Sequence, residues 1–325
     1  MLGTATLWDS VDLGFKPTKR TWGAEVFPGS SLPNAMVQVS PVTKFHSGAG
    51  YQYEDSVIYG FTHTNKGHWN LCHIPLLPVT GTPTPGDYCS PFSHERESAA
   101  PGYYQVFLDR YGVDAQLSST LRCAFHKYTY PAGAAASLLA DLQRSNEHVR
   151  AWDIRKEGDN VFAGWQQTGE KMYFYAVANR PVTGIEPVVE GDREVRIVRF
   201  GEGDGALELR IGFSFVSEKN ARENLEAEML GKSFAEVRSE ATATWNDLLG
   251  RIRVEGGTER EKGLFYSSLY RSFLWPALRS DVNGEFTDVD GKVINPGFRY
   301  YTGPSYWDDY RNKLILLGML APDVA

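Results

Sequence analysis

The chain is poor in cysteine: Cys72, Cys89 and Cys123 are the only three in 325 residues. Three cannot all pair with one another, and none has the close spacing of a metal-ligand pair. They read as buried or half-buried thiols, and their number leaves the compartment open. Long apolar runs are also missing. Mean hydropathy is −0.35, and nothing approaches the ~20 consecutive apolar residues a bilayer span needs, so no membrane partner is expected. No basic-then-apolar leader is legible after Met1-Leu2-Gly3-Thr4. Positive charge is in deficit, with 33 Lys and Arg against 40 Asp and Glu for a net charge of −7. Phosphate backbones are bound by basic faces, so no nucleic acid partner is expected. Gly-x-Ser-x-Gly, Gly-x-x-x-x-Gly-Lys-Ser/Thr, Cys-x-x-Cys and His-Glu-x-x-His are absent from the sequence. Their absence removes the common hydrolase elbow, P-loop, redox and zincin readings.

What is present is a folding composition, 42% hydrophobic and 22% charged, which excludes disorder, collagen and coiled coil. Eight Trp, 17 Tyr and 17 Phe stand out, many beside turn formers, as in Gly102-Tyr103-Tyr104 and His68-Trp69-Asn70. Aromatics favour strands. They also stack on the apolar face of a pyranose, so both readings stay open.

Up to Ser217 short runs of β-branched and aromatic residues alternate with turn clusters. Strands are predicted at 35–40, 56–61, 71–79, 103–108, 113–121, 123–130, 135–142, 161–167, 171–178, 194–200 and 206–215. With no helical pattern between them, the predicted fold class is mainly β with C-terminal helices, built on a large antiparallel β-sandwich. No helix follows Gly201-Glu202-Gly203-Asp204-Gly205, so it is predicted to be a hairpin connection and not a phosphate loop.

After Ser217 the pattern turns helical, with Leu225 and Met229 one turn apart. Ser233…Glu236 and Thr258…Glu261 are capping boxes. The first should open a helix ending at Gly250. Residues 251–254 suggest a short strand. The second box should open a helix with Phe265, Leu269 and Phe273 on its apolar face, ended or kinked by Pro276. A last helix is predicted at 306–320. The expected organisation is a sandwich over 1–217, linker helices over 218–250 and the start of an α/α toroid over 251–325. A toroid of about twelve helices of 11–12 residues needs well over 150 residues. Fewer than that remain after Gly250, so the chain is expected to be a piece of a longer protein.

His63, His68 and His73 are spaced by five, which gathers three ligands on neither a helix nor a strand. They are expected to be polar loop residues flanking strands. The loop Thr64-Asn65-Lys66-Gly67-His68-Trp69-Asn70 pivots on Gly67 and puts Trp69 at its tip. An aromatic ring beside the polar tips of Asn65 and His68 suits a sugar subsite, and a tryptophan folded back onto the sandwich gives the same pattern. Neighbouring carboxylates diverge by about 100° on a helix and about 180° on a strand. Neither Glu54-Asp55 nor Asp308-Asp309 can therefore flank a glycosidic bond by itself. Asp308 stands near a helix start after Gly303-Pro304, where an acid also suits the helix dipole.

Taken in order, the motifs resemble glycoside hydrolase family 92. They are Phe27-Pro28-Gly29, Met36-Val37-Gln38-Val39-Ser40-Pro41, Tyr51-Gln52-Tyr53-Glu54-Asp55, Gly60-Phe61-Thr62-His63-Thr64 and Leu77-Pro78-Val79-Thr80-Gly81. Then come Phe92-Ser93-His94-Glu95, Pro101-Gly102-Tyr103-Tyr104 and Gly212-Phe213-Ser214-Phe215-Val216-Ser217. The series closes with Phe265-Tyr266-Ser267-Ser268-Leu269-Tyr270-Arg271 and Trp307-Asp308-Asp309-Tyr310-Arg311. Each motif is weak alone; their collinear order over nearly the whole chain is specific.

The resemblance implies an exo-acting, inverting, calcium-dependent α-mannosidase acting on mannose-containing glycans. It implies a β-sandwich joined through linker helices to a six-hairpin α/α toroid. General acid, general base and calcium ligands would then belong to toroid residues outside this chain, which alone would be inactive. Asp308 matches the family's ligand for hydroxyls of the terminal sugar, and Arg311 of the same motif joins the substrate-binding candidates. One departure concerns the leaving-group side: a second histidine followed by Leu-Ser-Gly is usual where this chain has Asn65-Lys66-Gly67-His68-Trp69. The expectation is that this loop and Asp308 converge on one cleft. The alternative is a non-catalytic carbohydrate-binding sandwich.

Overall fold

The computed structural model describes residues 27–47, 50–65, 71–302, 309–310 and 312–325. Its first strands are β1 (Ser30–Ser31), β2 (Gln38–Val42), β3 (Val57–Ile58), β4 (Gly60–Thr62), β5 (Leu76–Val79) and β6 (Ser90–Pro91). Next come β7 (Glu97–Ala100), β8 (Tyr103–Leu108), β9 (Val113–Ser119), β10 (Cys123–Thr129), β11 (Ser137–Ala140) and β12 (Ala151–Lys156). The series ends with β13 (Val161–Gln167), β14 (Lys171–Ala178), β15 (Val182–Glu190), β16 (Arg193–Phe200) and β17 (Leu207–Ser214).

Two antiparallel sheets face each other. One has the order β1-β2-β4-β5-β11-β16-β15, the other β12-β13-β14-β17-β10-β9-β8-β7. Alternation builds the interior between them: in β14, Met172, Phe174, Ala176 and Ala178 are buried while the residues between are half-buried. Their partners across the core include Leu76, Leu138, Val195 and Ile197.

Three helices follow: α1 (Glu218–Glu228), α2 (Phe234–Leu249) and α3 (Glu259–Ser272). Helix α1 lies directly on β17, where a Cβ added at Gly212 would meet the Ala221 carbonyl oxygen at 2.1 Å. Only glycine permits that approach. Leu225, Met229, Phe234 and Val237 thereby cover Tyr103, Cys123 and Phe125 on the outer face of the second sheet. Both capping boxes form. Ser233 and Thr258 are N-caps, and Glu236 and Glu261 reach back to the cap N–H groups at 2.8 and 2.7 Å.

A second apolar core joins Trp245, Leu248 and Leu249 of α2 to Tyr266, Leu269, Tyr270 and Phe273. Short strands follow, β18 (Ala277–Leu278) with β21 (Tyr301–Thr302), and β19 (Phe286–Thr287) with β20 (Val293–Ile294). The last described helix is α4 (Lys313–Leu320), in which Leu317 is buried and Ile315 and Met319 are exposed. No described helix is long and apolar enough to cross a membrane.

Several expectations change. The predicted strand at 71–79 begins only at Leu76, because Cys72 and Ile74 have φ of 51° and 55°. Residues 56–61 divide between β3, which pairs only with β6, and β4, which belongs to the first large sheet. The glycine-rich segment 201–205 is no hairpin: it carries the chain from β16 in one sheet to β17 in the other. Residues 251–254 form a turn, not a strand. The buried stripe of α3 falls on Tyr266, Leu269, Tyr270 and Phe273, with Phe265 at its margin. Strands β7, β12 and β15 were not predicted, and each is a sheet edge.

Candidate functional site

Of the five predicted substrate-binding residues, Asn65 is described; His68, Trp69, Asp308 and Arg311 lie outside the described residues. Asn65 sits just past the end of β4 and is 1% exposed. Its side-chain amide donates to the Gln38 carbonyl at 2.8 Å and the Thr62 carbonyl at 3.4 Å, and its Oδ1 accepts from the Thr62 hydroxyl at 3.3 Å. Its own N–H donates to Gln38 Oε1 at 3.1 Å. The side chain is thus turned inward, fixing the stem of the chain at the last described residue before 66–70.

The next residues on either side of that stem extend the network. The Thr64 hydroxyl meets His73 Nδ1 at 2.8 Å, and His73 Nε2 meets the Thr168 hydroxyl at 2.9 Å. Burial, then the nearby positive charge of Arg279, lowers the His73 pKa to about 4, so the ring is neutral at pH 7. His63 points the other way, into the sandwich. Its Nδ1 faces the Ile74 carbonyl at 2.9 Å, its Nε2 faces His126 Nε2 at 3.0 Å, and His126 Nδ1 faces the Tyr128 hydroxyl at 2.6 Å. A carbonyl only accepts, so His63 carries its proton on Nδ1. His126 must then donate from Nε2 and accept from Tyr128. One tautomer pattern satisfies all four groups. Burial lowers His63 to about 3 and pushes His126 well below its usual value. The expectation of polar loop histidines is therefore overturned for His63 and His73. Both are fully buried, because each ring finds hydrogen-bond partners on both nitrogens.

The segment after α3 is tied to this stem by backbone contacts. Asn34, with φ of 53°, donates its N–H to the Phe273 carbonyl at 2.6 Å and its side-chain amide to the Pro276 carbonyl at 2.8 Å. Leu278 N–H donates to the Asn34 carbonyl at 2.9 Å. A buried carboxylate clamps the same segment one turn later. Asp281 accepts from the Ser214 hydroxyl of β17 at 2.7 Å and from the Asn220 and Asn224 amides of α1 at 2.9 and 2.7 Å. Burial raises its pKa, and the three neutral donors pull it back.

These ties create a narrow crevice lined by Gln38, Thr64, Asn65, Leu71, Trp275 and Arg279, with Met36 and Ala277 completing it. Asn65 and Leu71 are the described residues on either side of 66–70. Ala277 pairs with Thr302, the last described residue before 303–308. The stems of both predicted site segments therefore meet at one place. Arg279 is the charged group there. Its guanidinium lies over the Phe215 ring at 3.7 Å, pairs with Glu170 at 2.9 Å, and leaves a buried Nε without a hydrogen-bond partner. Sequence reasoning missed Trp275 and Arg279, since no motif marks them and they reach Asn65 on a segment that Asn34 holds at Phe273, Pro276 and Leu278.

Comparison with known proteins adds to this geometry. The glycosyl hydrolase family 92 N-terminal domain matches residues 15–224, and the family's catalytic domain matches residues 220–325. The chain belongs to glycosyl hydrolase family 92. A family 92 α-mannosidase from Bacteroides thetaiotaomicron superposes with a TM-score of 0.88 at 26% identity, covering 96% of this chain and 47% of that one. The same enzyme has been solved in complex with mannoimidazole. A family 92 inverting mannosidase from the same organism gives a TM-score of 0.83 at 25% identity, over 96% of this chain and 46% of its own. An uncharacterized secreted glycosidase of Arthroderma benhamiae is 25% identical over 318 residues, 81% of this chain and 41% of its own length. The chain thus spans less than half the length of each of these proteins.

Proposed function

We propose that this chain supplies the sandwich and the opening of the catalytic domain of an exo-acting, inverting α-mannosidase that acts on mannose-containing glycans. The observation that carries the reading is the meeting of the two site stems at one crevice, within a chain whose fold follows a mannosidase over 96% of its length. In this reading the loop 66–70 supplies His68 and Trp69 toward the leaving-group side. Asp308 accepts hydroxyls of the terminal mannose, and Arg311 donates to them. Asn65 holds the loop's stem and Arg279 contributes a fixed cation at the crevice floor. We divide the chain at 217 and 250, with α1 and α2 as linker helices. The acid, the base and the rest of the toroid belong to residues outside this chain.

Helix α4 supports that last point. Its sequence, Lys-Leu-Ile-Leu-Leu-Gly-Met-Leu, is apolar almost all round, yet among its side chains Leu317 alone is buried. Such a helix is stable when other helices cover it. Calcium belongs to the reading through the family. Among the described residues no group of three or more His, Cys, Asp or Glu could hold a metal. We therefore assign its ligands elsewhere and route no step through it.

The test has two parts. The 325-residue chain alone should release no mannose from an aryl α-mannoside, since acid and base together supply orders of magnitude in rate. A reading frame continued past Ala325 should encode further helical hairpins, and its product should release β-mannose as the first anomer seen by NMR. Mannose release by the chain alone, abolished by chelator, would refute the assignment of the acid and base.

A further inference from the structure

Away from the crevice, the sandwich carries a groove made of three joined hollows of about 600, 740 and 310 Å³. Arg144 lines all three, and Tyr59 and Arg193 each line two. The two guanidiniums are held in advance. Arg193 donates to Asp141 Oδ2 at 2.5 Å, and Arg144 lies 3.8 Å from the same oxygen. Tyr88 donates to that oxygen at 2.6 Å and accepts from Arg144 at 3.3 Å. Asp141 is fully buried, while Arg144 and Arg193 keep 33% and 32% of their side chains open to solvent. Each planar fork is thus pinned at one edge and offers the other, so little side-chain freedom is lost when a ligand accepts from it.

Aromatic rings flank these donors. Arg144 sits 5.3 Å from the centres of both Phe45 and Tyr59, and Trp152 lines the far end. Charge decides the ligand class. Four Lys or Arg side chains line the groove against four Asp or Glu side chains, so its Lys, Arg, Asp and Glu charges cancel. A polyanion meets no net field there. Paired donors and acceptors with ring faces between them match a neutral sugar chain, whose hydroxyls both donate and accept. The hollows fall in or near the range of about 300–1,000 Å³ typical of sites for ligands of a few rings. One wall links the two sites: the Ser145 hydroxyl and the Asn146 N–H both donate to the carbonyl of Leu71, which lines the crevice.

We propose that this groove is a second carbohydrate-binding surface, taking the neutral oligosaccharide that extends from a glycan whose end lies at the mouth of the crevice. The proposal rests on the mannosidase reading of the crevice, and the two fail separately. The experiment is hydrogen exchange on the 325-residue chain with a soluble α-linked mannopentaose, together with affinities of Arg150→Ala and Trp152→Ala. Arg150 is an exposed groove residue, so its variant keeps the fold even if Trp152→Ala does not. Binding should protect residues 43–59 and 143–152, and each folded variant should bind about 5–10-fold more weakly, the loss of a stacking or hydrogen-bonding partner. Protection confined to 64–65, 71 and 275–279, with variants of unchanged affinity, overturns the groove and leaves the mannosidase reading standing. Protection of the groove without the crevice keeps the groove as a sugar surface but overturns its continuity with the crevice. An oligogalacturonate of the same length that protects the groove while mannopentaose does not overturns the neutral-glycan assignment, and so does the absence of any binding.

Discussion

The sandwich and the segment after Gly250 differ in how completely they bury what they expose to themselves. Between the two sheets, strand after strand alternates until the interior is closed: Phe174, Tyr104, Leu138 and Ile197 are all at or below 1% exposure. The later segment has one small core around Trp245 and Tyr270, while Leu264, Ile315 and Met319 stand 60–73% exposed. A sheet pair can close a core within one stretch of chain, whereas a helix that is apolar on several faces is covered only by further packing partners. The candidate crevice lies where the closed sandwich core meets this more open segment. It is held by the hydrogen bonds of Asn34 and Asp281 together with buried Phe273, Leu274 and Leu278.

The largest expected effects test this contrast directly. Phe174→Ala should cost about 3–5 kcal/mol in urea unfolding, as for large aromatic truncations in a closed core. Leu317→Ala should cost about 2 kcal/mol or less, because its surroundings are open to solvent and can collapse. Equal losses would show that the helical segment is as tightly closed as the sandwich.

Asp281→Ala comes next. It strands the Ser214 hydroxyl and removes one of the two acceptors of each of the Asn220 and Asn224 amides, and each N–H or O–H left unpaired costs about 1–3 kcal/mol before rearrangement. Hydrogen exchange should speed up over 275–302 while β13 and β14 keep their protection. Uniform acceleration would mean that the clamp serves the whole chain and not the junction.

The smallest effect per group is pH dependence within the sandwich. His63 and His73 are held at about 3 and 4, below the ordinary 6.5. The unfolded chain therefore binds protons that the folded one refuses. Their contribution to stability is complete above about pH 6.5 and is lost as pH falls toward the folded values, by about 1.4 kcal/mol per pH unit for each ring. Burial raises the Glu97 carboxyl, which acts in the opposite sense near its own ordinary value. The fall is accordingly read between pH 6.5 and 5, as a decreasing urea midpoint. A flat midpoint over that interval would show that the rings take up protons without unfolding.

Much of this was legible because local chemistry suffices for it. Central strands such as β14 announce themselves by alternation, and the two capping boxes needed only their own four residues. The missed strands β7, β12 and β15 are edges, so one side of each lacks a partner and the apolar pattern weakens. In β15 the run even includes Gly184 and Pro187. The segment 201–205 was misread for a related reason: a glycine-rich turn has the same composition whether the next strand joins its own sheet or the opposite one.

By itself the sequence determined the two-sheet architecture, the switch to helices after Ser217, the helix starts and the order of motifs that carries the family. Each is read from local patterns and from their order along the chain, without knowing which distant segments touch. Tertiary structure decided what depends on distant segments meeting. His63 and His73, ten residues apart in one polar stretch, became buried partners of His126 and Thr168. Arg279 and Trp275 reached Asn65 because Asn34 and Asp281 hold their segment against the sheet. Periodicity reports which face of an element is covered; it carries no information about which remote side chain will complete a buried hydrogen bond, and that choice is what forms the crevice.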